Sequence, residues 1–279
     1  MEDEITKKIP EETAGDFERS GDENLKQGNT GQAFVQYDKA LRLEPGLNRV
    51  RYKVGSLLFQ KGMLDEALAE FEEMLKNNPE DASGYEGDGM VFFTKEEWDA
   101  SEKNFKRAIT VDAKSWRAHT YLGIIYDRQK RYAESQEEYT KALEVNQKSG
   151  VIYNNMGISY FLKGEYDKAK ESFERALKIE PENNRIYNNL GVVLCRMERP
   201  AEALSAFKSG GDVAGAYNNL GYLYMMEQKY PDALNALDKA LESKPSYYEK
   251  AQENKEIAAA SFSTSYGSVE GKNLKNDNK

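Results

Sequence analysis

Glycine recurs in this chain with a period that a single compact globule has no use for. Gly21, Gly55, Gly89, Gly123, Gly157 and Gly191 stand thirty-four residues apart, and Gly221 arrives four residues early. The same apolar positions return around each glycine. With the glycine as position eight, the chain divides into repeats 14–47, 48–81, 82–115, 116–149, 150–183, 184–213 and 214–247. A segment this short cannot bury its own apolar face, so each must stack on its neighbours in a quasi-one-dimensional array.

Each repeat holds two apolar patterns at helical spacing, joined near position fifteen by a turn that carries Gly28 and Gly164 in two repeats and Lys or Glu in others. The second pattern has a small residue (Ala33, Ala67, Ser101, Ser135, Ala169, Ala203, Ala233). Four residues later comes a large one (Tyr37, Phe71, Phe105, Tyr139, Phe173, Phe207, Leu237). Three further on the residue is small again in most repeats, with Met74 and Gly210 as departures. The i, i+4, i+7 spacing places all three on one helical face. Small residues let two helix backbones approach, and the aromatic fills the space beside them. Pro45, Pro79, Pro181 and Pro245 stand just past second helices, where proline stops one helix and starts the next.

This constellation resembles the tetratricopeptide repeat, a helix–turn–helix unit, across residues 14–247, with Leu122-Gly123…Tyr126 and Met156-Gly157…Tyr160 as its clearest phrases. Asn24 stands where tyrosine is usual, and Ala113 and Gln147 replace the terminal proline. The resemblance implies an all-α, right-handed superhelical solenoid of about seven helix–turn–helix units. Residues 248–260 read as a C-terminal capping helix, 1–13 as a flexible acidic N-terminus and 261–279 as a disordered tail.

The sixth repeat lacks four residues, about one helical turn, so the phase of the buried face survives the deletion. Gly210-Gly211 suggests a left-handed C-cap, and Asp212 an N-cap for the following helix.

In the tetratricopeptide family the first helices line a concave groove, and positions two, five, six, nine, twelve and thirteen tend to face ligand. Here positions five and six carry Asn154-Asn155, Asn188-Asn189 and Asn218-Asn219. A side-chain amide both donates and accepts, so stacked asparagines suit an extended peptide backbone; they suit bonding to the neighbouring helix equally well. The same register adds Ile158, Phe161 and Tyr222 as apolar contacts and Arg185 and Arg196 as a basic rim. Ile124, Leu162, Val192, Met225 and Met226 extend the apolar set, and Arg117 and Arg128 the basic one. The family's clamp for acidic chaperone tails requires lysine at position five, and none of Glu18, Tyr52, Glu86, Thr120, Asn154, Asn188 or Asn218 supplies it.

Other chemistry is poorly represented. The net charge is −9, and residues 1–115 hold 16 Lys/Arg against 25 Asp/Glu while the remainder is balanced at 23 against 23. That distribution offers no basic stripe for nucleic acid. No apolar run is long enough to span a membrane. The lone Cys195 excludes an internal disulfide, and with the lone His119 it gives no metal-ligand pattern. Neither a phosphate-cradling loop nor a nucleophile elbow occurs, so no enzyme and no cofactor are expected.

The leading expectation is a non-enzymatic scaffold that binds an extended peptide. A second is an assembly factor for a bacterial surface machine. The C-terminal half resembles tetratricopeptide proteins of tight-adherence and type IV pilus assembly, through Gly211-Asp212-Val213-Ala214-Gly215-Ala216-Tyr217-Asn218-Asn219-Leu220-Gly221. A third is a self-assembling scaffold. The N-terminus carries no signal or lipid-anchor pattern, which predicts a cytoplasmic protein, or a periplasmic or outer-membrane-associated one if a signal has been removed.

Overall fold

Thirty-four residues suffice for two short helices and their turns, and helix pairs are what the chain forms. The computed structural model describes residues 12–244 and 248–276, with side chains through 264. Residues 1–11, Pro245 and 277–279, for which flexible ends and a helix stop are expected, lie outside the described residues. Among the described residues there are fifteen α-helices and no strand.

The chain divides into two compact lobes, Met1–Gln129 and Lys130–Lys279. The N-terminal lobe contains α1 (Ala14–Lys26), α2 (Thr30–Leu43), α3 (Asn48–Gln60), α4 (Leu64–Asn77), α5 (Ala82–Thr94), α6 (Trp98–Val111) and α7 (Trp116–Arg128). The C-terminal lobe contains α8 (Tyr132–Val145), α9 (Gly150–Lys163), α10 (Tyr166–Ile179), α11 (Asn184–Arg196), α12 (Pro200–Ser209), α13 (Val213–Met226), α14 (Tyr230–Ser243) and α15 (Glu249–Asn276).

Polar caps start most first helices. Thr13, Asp81, Ser115, Ser149, Asn183 and Asp212 each accept a hydrogen bond from a backbone N–H in the first turn. The second helices have no such cap and are launched by the turn before them. At each of those turns one residue is left-handed: Gly28, Gly62 and Gly164, but also Glu96, Lys130, Glu198 and Gln228. Gly62 is a third turn glycine, missed by a reading that singles out only Gly28 and Gly164.

The periodic glycine admits the second helix's large side chain. A methyl added at Gly55 would lie 2.6 Å from Phe71, at Gly89 2.8 Å from Phe105, and at Gly157 2.8 Å from Phe173. Gly21 and Gly191 meet Tyr37 and Phe207 still more closely, and Gly221 meets Leu237 at 2.6 Å. Tyr37, Phe71, Phe105, Phe173 and Phe207 are all buried, each contributing about 2–3 kcal/mol of apolar burial. Phe71 is held on two sides, because Gly87 of the next first helix opens towards the same ring.

The shortened repeat takes its whole deletion from α12, which has 10 residues where α10 and α14 have 14. The expected left-handed C-cap is not what forms there: Gly210 has φ −92°, and Gly211 is not left-handed either. Glycine is needed at 210 for space, since a methyl would sit 2.8 Å from the Asn184 carbonyl oxygen and 2.9 Å from Tyr187 Cβ. Asp212 does cap α13, accepting from the Gly215 N–H at 2.6 Å.

Helix α15 continues to Asn276, past residue 260 and through much of the stretch that composition assigns to a disordered tail. Once Ala251 and Ala258 anchor its first turns in the lobe, propagation needs only adequate local propensity, which apolar periodicity does not report.

Candidate functional site

The first helices of the C-terminal lobe, α9, α11 and α13, bring the asparagines into one ladder. Asn189 Nδ2 donates to Asn154 Oδ1 at 2.9 Å, and Asn219 Nδ2 to Asn188 Oδ1 at 3.5 Å. Position six of one repeat therefore reaches position five of the repeat before it. The ladder has a rung that the sequence pattern did not reveal: Asn254 of α15 donates to Asn218 Oδ1 at 2.9 Å. The signal available was spacing, because Asn254 stands thirty-six residues after Asn218, close to the repeat period.

Register explains what α15 is. Counted from Glu249 as position one, Ala251 and Ala258 fall at buried positions three and ten, and Asn254 at position six. Ile257 falls at position nine, in line with Ile158, Val192 and Tyr222. Position eight is exposed Glu256, since no second helix follows among the described residues to press a ring against it. The capping helix thus holds the register of the first helix of a further repeat.

The expected contact residues separate into three groups. Asn154 and Asn218 are buried; Asn155, Asn188, Asn189 and Asn219 are half-buried. Ile158 and Phe161 are half-buried and pack against the core, Phe161 lying 5.8 Å from the Tyr166 ring. Tyr222 is 45% exposed, and beside it in register stand Met226 and Ile257, at 59% and 53%. Arg185 is exposed. Arg196 is exposed too but pairs with Glu227 at 3.3 Å, so part of its charge is already balanced.

The N-terminal lobe uses the same positions with ions in place of amides. Glu18 at position five accepts from Lys53 at 2.9 Å and from Arg49 at 2.7 Å, and Lys53 also reaches Asp22 at 2.6 Å. Burial works against the charge on Glu18 and Asp22, yet the hydrogen bonds from Lys53 hold both carboxyls below the usual range. The charges of these four side chains are paired with one another.

The remaining singular residues pack. His119 is buried with Nε2 3.2 Å from the Ala113 carbonyl oxygen, and burial pushes the Cys195 thiol up to about 11, which leaves it an unreactive thiol. Among the described residues no three His, Cys, Asp or Glu side chains cluster as a metal would require, and no helix is long and apolar enough to cross a membrane. A cleft of about 490 Å3 lies away from the ladder, between second helices α8 and α10 over Tyr153, Met156 and Tyr160 of α9. Arg175 and Lys168 stand 5.9 and 5.4 Å from the Tyr153 and Tyr160 rings.

Residues 14–216 match the family described as the cilia and flagella-associated protein 70 C-terminal domain. Residues 214–247 match the tetratricopeptide repeat. No curated protein matches the chain. Among solved structures, a tetratricopeptide repeat protein from Parabacteroides merdae is 18% identical with a TM-score of 0.59, over 88% of this chain and 98% of that one. Pseudomonas aeruginosa pilF is 19% identical with a TM-score of 0.58, over 74% and 95% of the two chains. YrrB, described as a tetratricopeptide protein with an unusual peptide-binding site, is 23% identical with a TM-score of 0.53, over 67% and 97%. At these identities the likeness is one of fold.

Proposed function

The chain belongs to the family of the cilia and flagella-associated protein 70 C-terminal domain and is built of tetratricopeptide repeats, and on that premise we propose that it is a non-enzymatic scaffold holding an extended peptide on the first-helix face of its C-terminal lobe. The observation that carries this is the amide ladder. Asn189 and Asn219 each spend one donor on the repeat before, Asn155 accepts from Asn154 Nδ2 at 3.4 Å, and all three, being half-buried, keep acceptor and donor capacity for a peptide backbone. Asn154 and Asn218, being buried, serve as supports, with Asn188 receiving the middle rung. Tyr222, Met226 and Ile257 give the ladder an exposed apolar end where a large side chain of the peptide seats. Ile158 and Phe161 back this face from the core side, and Arg185 sets its basic edge. The peptide-binding site described for YrrB is consistent with this mode on the same fold.

The test replaces Asn155, Asn189 and Asn219 by alanine and compares recovered partners with those of the unaltered chain, after circular dichroism has shown the lobe still folded. Loss of peptide-mediated partners is expected; undiminished recovery from a folded variant refutes the ladder's role.

A second reading is an assembly factor for a bacterial pilus, tight-adherence or secretion machine. It is supported by the shortened α12 leading through Asp212 into the asparagine-bearing α13. Reading the genomic codons upstream of Met1 for a lipid-anchor motif tests it. A self-assembling scaffold is distinguished from both by light scattering that rises with concentration.

A further inference from the structure

Helix α5 is where the N-terminal lobe departs from its own pattern. Position seven carries Val54, Leu122, Met156, Leu190 and Leu220 in other repeats, Ser20 in the first, and Asp88 here. Asp88 is 6% exposed, and its Oδ1 is buried with no hydrogen-bond partner. Two residues earlier Glu86 is also buried, accepting a hydrogen bond from the Ser115 hydroxyl. The same helix holds Gly84, Gly87 and Gly89, each about 1 kcal/mol worse than alanine in a helix interior. These glycines are held in place by packing: methyls there would run into Leu75, Phe71 and Phe105. Low helix propensity and a buried carboxyl with an unpartnered oxygen thus coincide on one helix, between neighbours it cannot leave without cost.

The groups around the two acids are few. Helix α4 presents Glu72 to Asp88 and no cation acts on it. Arg117 from α7 acts on Glu86, as do Asp112 from the C-cap of α6 and Asp81 from the N-cap of α5 itself. Tyr52 of α3 senses Glu86. On α6, Arg107 lies over the Tyr85 ring and Lys106 pairs with Glu102. Burial, reinforced by Glu72, pushes the Asp88 carboxyl up to about 7; burial also raises Glu86, against the pull of Ser115 and Arg117.

We propose that α5 is a pH-governed hinge, closed while Asp88 is buried as the neutral acid and opening locally as the pH rises, because opening carries Asp88 into water and releases its proton. The direction follows from proton counting. In the closed lobe Asp88 keeps its proton to near neutrality, whereas in the open state it ionises as an ordinary aspartate, near 4. Between those limits the open state binds fewer protons, so the opening equilibrium grows by up to about tenfold per pH unit and levels off above neutrality. Glu86 and Gly87 are the position-five and position-six residues of α5, so opening removes their stretch of the first-helix face.

Amide hydrogen exchange on the full chain, expressed as protection factors at pH 5, 6, 7 and 8, tests this. Protection of α5 amides is expected to fall at least tenfold between pH 5 and 7 and then flatten, while α10 amides hold constant. Asp88→Leu, which restores the residue of other repeats, and Asp88→Asn, which keeps the size but not the proton, should each abolish the fall; Glu86→Gln should retain most of it. Constant α5 protection across the range overturns the proposal. So does an equal fall in either Asp88 variant. If Asp88→Leu does not fold, the Asp88→Asn comparison decides alone, and a carboxyl carbon titration of Asp88 at ordinary aspartate pH would overturn it independently.

Discussion

Exchanging a helical glycine for alanine should stabilise at one site in this chain and destabilise at another, and the sign depends only on what stands beside the missing methyl. At Gly31 in α2 nothing lies within 4 Å of an added Cβ. Alanine there removes backbone freedom from the unfolded chain without a clash, for a gain of about 0.5–1 kcal/mol. At Gly157 the added Cβ would lie 2.8, 2.9 and 3.0 Å from three atoms of the Phe173 ring. Carbon pairs prefer about 3.5–4.0 Å, so the ring must retreat by roughly 0.7 Å inside a packed core. Overpacking of that kind costs about 1–3 kcal/mol, against which the propensity gain of about 1 kcal/mol is set. The net expectation is a loss of up to about 2 kcal/mol for Gly157→Ala, on the same two terms. Urea denaturation followed by circular dichroism reads the global effect. Hydrogen exchange in α9 and α10 reads the local one, which is needed because repeat arrays need not unfold in a single step. Truncating the ring relieves the clash, so Gly157→Ala combined with Phe173→Ala should cost less than the sum of the two single changes. If Gly157→Ala stabilises as Gly31→Ala does, the glycine period has been misread.

Further expectations concern turns, ladder and charge. Replacing left-handed Glu96 or Glu198 by glycine should raise stability by about 0.5–1 kcal/mol each, and Gly28→Ala should lower it by about 1 kcal/mol, in the same denaturation assay. Asn254→Ala orphans a buried Asn218 amide and should cost about 1–3 kcal/mol, whereas replacing both asparagines with leucine should cost much less. Glu18 and Asp22, held below the usual carboxylate range by hydrogen bonds from Lys53 despite burial, stabilise the N-terminal lobe at neutral pH. That contribution disappears as acid protonates them below about pH 4. A Lys53→Met variant should therefore lose stability at pH 7 and show a flatter acid limb in pH-dependent thermal unfolding.

Most of the fold was legible because helix pairing is written in periodic, local chemistry. The glycine at position eight and the ring in the second helix announce their contact directly, and first helices begin at 14, 48, 82, 116, 150 and 184 on that same period. The turns were harder, since Glu96, Lys130, Glu198 and Gln228 adopt a glycine conformation that their identities do not betray. Gly210 misled for the opposite reason: it serves a close approach to Asn184, and composition alone does not distinguish crowding from a left-handed cap. In the candidate site, the asparagine spacing revealed a ladder but not the direction of its bonds, which depends on how far one repeat advances past the next. Asn254 escaped because α15 lacks the position-eight glycine, and it lacks that glycine because no second helix packs there among the described residues. The same logic hid the acids of α5, whose burial is set by neighbours distant in sequence.

The measurement that bears most directly on the peptide-binding face selects a ligand from a displayed library of unstructured peptides against the full chain and maps it by side-chain nuclear magnetic resonance. Binding on the first-helix face predicts shifts in the side-chain amides of Asn155, Asn189 and Asn219 and in the Tyr222 ring, with Tyr153 and Tyr160 unmoved. Shifts confined to Tyr153, Tyr160 and Lys168 in the cleft between α8 and α10, with the asparagine amides silent, would contradict it.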